Sequence, residues 1–464
     1  MPPITHRLFP ALLAALTLTG CDGARHAVAV PAHFTSHQLC SAVFIGGLDA
    51  NAFFTEGIAP QMRPGGAFMR YTIDHASGLV TARFAGLVES RAVYEGPAGC
   101  RVLTADDPPP GPRIVLPPPA PPLLPPIAGP EVVAPTDPAL VAALDRAFAE
   151  PDTAPHRWTK AVVILKDGRV VAERYAPGYG VDTPLIGWSM TKSVTNALIG
   201  ILVRQGKLAV DQRLDVPAWS SAGDPRQAIT VDSLLRMTSG LDFGQSLTAD
   251  WTSMADPTTQ MVYARADMAA MVEAAAPKAP PGRVWTYSNG NTLLLSRLIR
   301  DTVGHGGADV LAFAHQQLFD PLGMAHATLE LDATGTPIGS SHMWATARDW
   351  ARFGQLFADD GMVGGQRLLP EGWVDYSARL TPGSEDYGYG AGFWTNRGSV
   401  GAAAHRVHAG MPADSFMARG NQGQAIVIIP SARLVVVRLG MAYTPEGDIL
   451  ALERLVADTM AATR

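Results

Sequence analysis

The sequence is poor in charged residues and in cysteine, and each shortage excludes classes of protein. Charged residues make up 17% of its 464 residues, the formal net charge is −6 and only three cysteines occur. No run of basic residues appears anywhere, which argues against a nucleic-acid-binding protein. His405 and His408 have no further histidine, cysteine or carboxylate at metal-ligand spacing. We therefore predict neither a metal site nor a cofactor.

Apolar residues are plentiful. They form 47% of the sequence, enough for a large core, and a chain of this length is expected to contain two or more domains. No internal repeat is visible.

The first 21 residues have the features of an export signal. His6 and Arg7 precede an apolar run at 8–18, which is too short to span a bilayer as a mature helix but suits a signal peptide. The run ends in Leu-Thr-Gly-Cys at 18–21, which resembles the lipobox of bacterial lipoproteins. The resemblance implies lipidation of Cys21 and a periplasmic protein anchored to a bacterial membrane. An ordinary signal peptide with a chance cysteine is the alternative.

The two remaining cysteines, Cys40 and Cys100, predict a disulfide, because an exported protein is in an oxidising compartment. Two buried free thiols are the alternative. Glycine-rich turns separate strand-like segments between them, at 42–45, 68–71, 79–84 and 91–94. We interpret residues 36–105 as a small α+β or β domain. If that domain is independent, reduction of the disulfide should leave the activity of the rest of the chain nearly unchanged.

Residues 106–136 are predicted to be a linker. Three proline runs prevent a helix or a central strand there, so the segment should be extended and semi-rigid. Its apolar residues suggest that it lies along a domain surface.

Residues 137–464 are predicted to form an α+β domain. Apolar periodicity predicts helices at 138–149, 234–241, 292–302, 346–357 and 448–460. Hairpins are predicted at 160–175, around Asp167 and Gly168, and at 424–439. Strands at both ends of the domain suggest one antiparallel sheet in which the first and last strands are brought together.

Ser189 and Lys192 form a Ser-x-x-Lys motif at the start of a predicted helix that ends near Gly206. Free backbone amides at a helix start favour a developing oxyanion beside Ser189. Lys192 lies one turn later on the same face, where it can activate the serine as a nucleophile. The alternative is a helix-capping serine followed by a solvated lysine.

Tyr287 and Asn289 form a second motif, Tyr-x-Asn, in an extended loop where both side chains can point to one side. A nearby lysine ammonium would lower the pKa of Tyr287, which could then accept the proton of Ser189 and deliver it to a leaving group. Asn289 could donate to a substrate carbonyl. Taken singly, a surface tyrosine and a turn asparagine are the alternatives.

These two motifs resemble those of class C β-lactamases and related penicillin-binding-type serine hydrolases. Connecting motifs occur in the expected order at 234–241, 281–282, 321–324 and 345–349, so the resemblance covers about residues 138–460. Segments 339–354 and 416–424 are most similar to 6-aminohexanoate-dimer hydrolases and related esterases. The resemblance implies a β-lactamase/transpeptidase-like fold, with an antiparallel sheet flanked by helices and a separate helical region.

The resemblance also implies substrate-binding residues. The substrate-contacting aromatic residue of the hydrolase branch has its equivalent at Trp251. The backbone amide of Ala418 or Arg419 could complete an oxyanion hole with that of Ser189. Four aromatic residues in or near a glycine-rich stretch could line a pocket or simply belong to an edge strand: Tyr387, Tyr389, Phe393 and Trp394.

One departure from the family concerns the strand beside the nucleophile, where β-lactamases carry Lys-Thr-Gly. Counting back from Pro430 places that motif near 415–417, which contains no lysine. Poor hydrolysis of β-lactams is therefore expected, because the lysine grips the drug carboxylate. Arg419 could replace the missing cation, with a surface salt bridge as the alternative.

These features together predict a serine hydrolase that acts on a small ester or amide through an acyl-enzyme on Ser189, with Lys192 and Tyr287 as the other catalytic residues. The rival interpretation is a cell-envelope protein that binds peptidoglycan or β-lactams with little turnover; a β-lactamase or D-peptidase is a further alternative.

Overall fold

The N-terminal part of the chain is a long helix packed on a four-stranded antiparallel sheet. The computed structural model describes residues 22–63, 65–109, 111–244, 256–444 and 448–463. The first elements are α1 (Asp22–Phe44), α2 (Ala50–Phe53), β1 (Met69–Asp74), β2 (Leu79–Phe84), β3 (Val88–Tyr94) and β4 (Cys100–Val102). The strands pair in the order β1-β2-β3-β4. Alternation along β2 buries Val80, Ala82 and Phe84, which gives the sheet one apolar face.

Three of the four strands predicted here are confirmed as β1, β2 and β3. The strand predicted at 42–45 is wrong, because residues up to Phe44 continue α1. A short apolar run fits a helix as well as a strand, and packing of α1 on the sheet decides between them. The predicted disulfide is confirmed: Cys40 on α1 is bonded to Cys100 on β4, with their Cα atoms 6.0 Å apart.

The predicted export signal and Cys21 lie outside the described residues. Among the residues that are described, no helix combines the length and apolar character needed to cross a membrane.

The segment 22–102, called the N-terminal unit below, packs directly against the rest of the protein. One continuous apolar core contains buried residues from both parts, including Phe34 and Leu39 of α1 together with Trp344 and Leu295. Residues 36–105 accordingly share their core with the part of the chain that follows the linker.

The proline-rich segment has no helix or strand among its described residues, 106–109 and 111–136. It lies along the surface of the large domain, as its apolar residues suggested. The Val170 amide donates to Ile127 O at 2.9 Å and the Glu173 amide donates to Val133 O at 2.9 Å. Ile127 is buried, so this segment covers the edge of the large domain.

The large domain alternates short strands and helices. Its strands are β5 (Thr159–Lys166), β6 (Arg169–Tyr175), β7 (Leu185–Ile186), β8 (Thr328–Leu329), β9 (Met343–Ala345), β10 (Met362–Val363), β11 (Gln366–Arg367), β12 (Trp394–Thr395), β13 (Phe416–Arg419), β14 (Ala425–Ile429) and β15 (Leu434–Gly440). Its helices are α3 (Pro138–Phe148), α4 (Thr191–Arg204), α5 (Val231–Leu235), α6 (Pro257–Ala264), α7 (Met268–Glu273), α8 (Asn289–Val303), α9 (Gly307–Ala314), α10 (Asp320–Leu322), α11 (Ala347–Ala358), α12 (Trp373–Ala378), α13 (Gly401–His408) and α14 (Ile449–Ala462).

The main sheet has six antiparallel strands in the order β12-β13-β14-β15-β5-β6. The first and last long strands of the domain, β5 and β15, are neighbours as predicted. Every residue of β15 is buried, because α3 and α14 cover one face of the sheet and α11 covers the other. Asp167 and Gly168 both take left-handed φ values, 52° and 75°, which confirms the predicted β5–β6 turn.

The predicted helices at 138–149, 292–302, 346–357 and 448–460 are confirmed as α3, α8, α11 and α14. The helix predicted at 234–241 is displaced, since α5 ends at Leu235 and Met237 adopts a left-handed φ of 62°. That backbone turn cannot belong to a right-handed helix, and the apolar pattern of the segment gave no sign of it.

Replacement of both Cys40 and Cys100 by serine should lower the free energy of unfolding by about 4 kcal/mol, because the bond closes a long loop in the unfolded chain. The two cysteines are 60 residues apart in sequence. Chemical denaturation followed by tryptophan fluorescence measures the change. Wild-type protein under reducing conditions is the control and should show the same loss. Equal stability of the oxidised wild type and the double variant would contradict the prediction.

Candidate active site

The nucleophile candidate Ser189 lies in a short 3₁₀ turn, Trp188–Met190, between β7 and α4. The Gly187 amide donates to Met343 O at 2.8 Å, which fixes the entry to this turn. Trp188 has a left-handed φ of 47°, a strained conformation for a large residue. Its buried indole holds that conformation by donating to Gln422 Oε1 at 2.8 Å. Ser189 is only half-buried, so its hydroxyl is open to a substrate.

Lys192 is the most constrained residue of the site. Its ammonium nitrogen is 3.1 Å from Ser189 Oγ, 2.5 Å from Asn289 Oδ1 and 2.8 Å from Ser340 O. The side chain is 3% exposed, and burial holds its pKa well below the ordinary lysine value. The nitrogen therefore favours the neutral form, whose two N–H groups match the two carbonyl oxygens and whose lone pair can face the serine hydroxyl.

Tyr287 lies beside the lysine, with its ring centroid 4.9 Å from Lys192 Nζ. The expectation of a lowered tyrosine pKa is wrong: burial raises the pKa of Tyr287 to about 12, although a hydrogen bond with Ser189 and the charge of Arg419 oppose the rise. Burial also lowers the pKa of Lys192, which weakens the stabilisation that a lysine ammonium would give to a phenolate. Tyr287 is thus a protonated phenol in contact with the nucleophile.

The strand β13 approaches the nucleophile turn at Gly420, the residue after its end. A Cβ atom at Gly420 would lie 2.2 Å from Gly187 O and 3.1 Å from the Ser189 amide nitrogen, so only glycine fits. The sequence analysis placed the equivalent of the family's Lys-Thr-Gly motif at 415–417. In the structure a later residue, Gly420, lies beside the nucleophile turn. No lysine occurs there either; Arg419 is the basic residue next to the contact.

Backbone directions along β13 distinguish the candidate amides. The Gly420 amide donates to Gln424 O at 2.9 Å, on the side of β14, while Ser415 O accepts from Asn396 on the opposite side. Because alternate residues of a strand point alike, the Ala418 amide faces β14 and is removed as a candidate oxyanion donor. The amide of Arg419 faces the other side, and so does that of Asn421 if the alternation continues past the end of the strand.

Aromatic rings form a wall next to Tyr287, called the aromatic wall below. It consists of Trp285, Tyr287, Tyr387, Tyr389 and Trp394, whose neighbouring ring centroids are 4.9 to 5.7 Å apart. The guanidinium of Arg419 lies 5.6 Å from the Trp394 ring. Phe393 does not belong to the wall, since it packs against Phe357 in the core.

The remaining candidates are only partly located. Trp251 and Cys21 lie outside the described residues. Within the described part of the chain, no group of three or more histidine, cysteine, aspartate or glutamate residues is arranged to hold a metal ion. His405 lies on α13, with its Nε2 3.5 Å from Glu453, and His408 bonds to the backbone of the same helix.

Three features of the site gave no usable signal in the sequence. Ser340 acts through its backbone carbonyl, which any residue could supply, and its partner Lys192 is 148 positions away. Gly420 is one glycine among 46. Gln422 supports the nucleophile turn from a segment 234 positions distant. Only the three-dimensional contacts show these roles.

A lysine beside a serine at the start of a helix, next to an antiparallel sheet, defines a class of serine hydrolases, and the comparisons with known proteins identify the family. The family model named Beta-lactamase matches residues 144–460, which is well over half of the chain. The protein therefore belongs to the β-lactamase family, and the fold expected from its motifs is confirmed.

Relatives of known sequence or structure extend this result. A 6-aminohexanoate-dimer hydrolase from Paenarthrobacter ureafaciens is 24% identical over 229 residues, which cover 47% of this chain and 56% of the relative, so the match spans little more than half of that protein. A penicillin-binding protein homologue from Caulobacter crescentus has a TM-score of 0.54 at 20% identity, covering 72% of this chain and all of its own. EstCE1, a hydrolase with promiscuous acyltransferase activity, has a TM-score of 0.53 at 16% identity, with coverages of 69% and 97%. At these identities, the two structures show a common fold.

Gly420→Ala should force β13 away from the nucleophile turn. The added methyl would overlap Gly187 O, so hydrolysis should fall by roughly 100-fold even if the protein stays folded. Ester turnover and thermal unfolding measure the two effects. Gly180→Ala is the matched control, because nothing lies within 4 Å of a methyl added there. Wild-type turnover by the Gly420 variant would show that this close approach is not required.

Proposed function

We propose that the protein hydrolyses an ester or small amide bond through an acyl-enzyme on Ser189. The observation that carries this proposal is the buried Lys192 nitrogen, 3.1 Å from Ser189 Oγ and bonded to two carbonyl oxygens. A neutral amine in that position is a base at the right distance to accept the serine proton. A retired site would have no reason to keep a lysine buried in this way, at a cost in solvation.

The proposed reaction begins when the hydroxyl proton of Ser189 passes to the Lys192 lone pair. Ser189 Oγ then bonds to the substrate carbonyl carbon, and the oxyanion is stabilised by the Ser189 amide with an amide on the side of β13 that faces away from β14, at Arg419 or Asn421. The oxyanion then re-forms the carbonyl and the bond to the leaving group breaks, while the protonated phenol of Tyr287 gives its proton to the leaving group and regains one from Lys192. Water attacks the acyl-enzyme by the reverse proton path, which releases the acid and restores Ser189.

The aromatic wall supports a substrate with a flat or apolar portion beside the scissile bond. Tyr387 is 54% exposed at the open end of the wall, where a substrate ring or alkyl chain could pack. Arg419 is the cation beside the wall, and an ester or amide carrying a carboxylate could pair with it. The Paenarthrobacter relative is a 6-aminohexanoate-dimer hydrolase, which supports including amides in the proposal.

Substitutions of the three proposed catalytic residues test this function. Ser189→Ala should abolish acylation by a fluorophosphonate, and Lys192→Ala or Tyr287→Phe should each slow turnover of a p-nitrophenyl ester by roughly 10² to 10⁴. Ser288→Ala is the matched control, because the Oγ of this neighbouring buried serine has no hydrogen-bond partner among the described residues, so the variant should behave like the wild type. Intact-protein mass spectrometry locates the label.

The outcomes separate the candidate functions. Labelling of Ser189 without turnover of any ester or amide would instead support a binding protein of the cell envelope. Efficient hydrolysis of nitrocefin would show a β-lactamase despite the missing lysine beside Gly420. Unchanged ester turnover in Tyr287→Phe would contradict the proposed proton transfer to the leaving group.

The pH dependence should reflect Lys192. Only the neutral amine accepts the serine proton, so kcat/KM should rise with pH as Lys192 loses its proton, at a pH well below the ordinary lysine pKa. It should then stay level into the alkaline range, because Tyr287, with a pKa of about 12, keeps its proton. A pH series of ester hydrolysis, with stability checked at each pH, measures this. A decline in kcat/KM as pH rises through neutrality would contradict the assignment of Lys192 as the base.

A further inference from the structure

The N-terminal unit lies outside the part of the chain that the family model matches, which begins at residue 144. It nevertheless reaches residues that hold the nucleophile and the lysine, at two separate places. We propose that the N-terminal unit is a positioning element of the active site, acting through His342 on the lysine and through Gln422 on the nucleophile turn. This inference rests on the proposed hydrolase function and names a set of residues on which its rate depends.

The first connection starts on α1. Gln38 Nε2 donates to His342 Nε2 at 3.0 Å, and the ring of the neighbouring His37 stacks on that of His342 with centroids 4.8 Å apart and planes within 1°. All three side chains are almost fully buried. Because His342 Nε2 accepts this hydrogen bond from Gln38, the ring hydrogen lies on Nδ1. His342 Nδ1 therefore donates to Ser341 Oγ at 2.7 Å.

From His342 the connection reaches Lys192 through Ser341 and Ser340. Ser341 Oγ is 3.3 Å from Ser340 Oγ, and Ser340 O is the carbonyl that accepts from Lys192 Nζ. The His342 ring also meets the Trp188 ring edge-on, with centroids 5.8 Å apart. One buried imidazole thus contacts the residue before the nucleophile and orients the segment that holds the lysine.

A buried carboxylate attaches this segment to the N-terminal unit. Glu330 is fully buried and its amide donates to His342 O at 2.9 Å. Glu330 Oε2 accepts from His37 Nε2, Ser41 Oγ and the Cys100 amide, each at 3.0 Å. These three donors to Glu330 Oε2 come from α1 and β4, the two elements that the disulfide joins. The disulfide therefore fixes the donors that hold Glu330, and through it His342.

The second connection uses a different part of the N-terminal unit. Gly57 O, in the segment after α2, accepts from Gln422 Nε2 at 2.9 Å. Gln422 Oε1 accepts from the Trp188 indole at 2.8 Å. Gln422 itself takes a left-handed φ of 60°, two residues after Gly420, which makes the close approach to the nucleophile turn. A shift of Gly57 would therefore be passed to the residue that precedes Ser189.

The two connections predict an effect on catalysis that differs from a general loss of stability. Gln38 and Gln422 are not expected to touch the substrate, so their loss should lower kcat and leave KM nearly unchanged. A displacement of the lysine or the nucleophile by a fraction of an ångström is enough to slow the chemical step by a large factor. The inference also predicts that reduction of the disulfide lowers activity, which is the opposite of the expectation from the sequence.

The test compares Gln38→Leu and Gln422→Leu with the wild type, each assayed as full-length oxidised protein. We expect kcat for a p-nitrophenyl ester, per site titrated with fluorophosphonate, to fall roughly 10- to 100-fold in each variant, with KM within about twofold. Ser36→Ala is the matched control: it lies on the same helix and loses its bond to Ser90 Oγ at 2.8 Å, inside the N-terminal unit, so its kcat should not change.

A conservative variant separates positioning from packing. An amide at position 342 can replace one ring nitrogen, so His342→Gln, which can still meet Gln38, should retain more activity than His342→Leu at matched thermal stability. Wild-type protein with its disulfide reduced, still folded by circular dichroism, should also lose kcat.

The kcat values of Gln38→Leu and Gln422→Leu decide whether the inference holds. Wild-type kcat in both Gln38→Leu and Gln422→Leu, with an active wild type, would overturn the inference and leave the proposed function standing. If Gln38→Leu does not fold, Gln422→Leu and the reduced wild type decide by the same criterion. A wild type that neither reacts with fluorophosphonate nor hydrolyses an ester would overturn the proposed function and this inference together.

Discussion

The burial of one lysine side chain is the constraint on which the active site depends. An amine removed from water must be neutral or fully bonded, and Lys192 has three partners from three different elements. Ser189 lies before α4, Asn289 begins α8, and Ser340 precedes β9. All of these elements must be correctly placed for the lysine nitrogen to make its hydrogen bonds. The same burial lowers the lysine pKa, which is the property that the proposed role of Lys192 as a base requires.

The surrounding sheet supplies the rest of the geometry. β13 is close enough to the nucleophile turn that only glycine fits at position 420, and the alternation of its amides leaves one edge of the strand facing the reaction. The strained Trp188 conformation persists because its indole is bonded and buried. The chemical groups are thus few, and most of the surrounding structure serves to hold them within a fraction of an ångström.

The N-terminal unit is part of this support. Its long helix and disulfide bring buried donors to Glu330, and the segment containing Glu330 and His342 is the one that presents a carbonyl to Lys192. Stability and catalysis are consequently coupled across a proline-rich segment that, in the sequence, looked like a boundary between independent parts. The continuous apolar core across that boundary has the same consequence: neither part can move freely without disturbing the other.

The sequence by itself determined the features that depend on local spacing. Helical periodicity placed Lys192 one turn after Ser189, the two-residue spacing of the Tyr-x-Asn motif kept Tyr287 and Asn289 together at the start of α8, and turn chemistry fixed the β5–β6 hairpin. The tertiary structure alone decided what depends on burial and on approach between distant segments. It reversed the expected shift of the Tyr287 pKa, turned a predicted strand at 42–45 into the end of α1, and removed the Ala418 amide in favour of amides on the side of β13 that faces away from β14. The physical reason is that burial, strand pairing and close backbone contact are set by the packing of whole elements, which brings together residues as distant as Ser340 and Lys192, 148 positions apart.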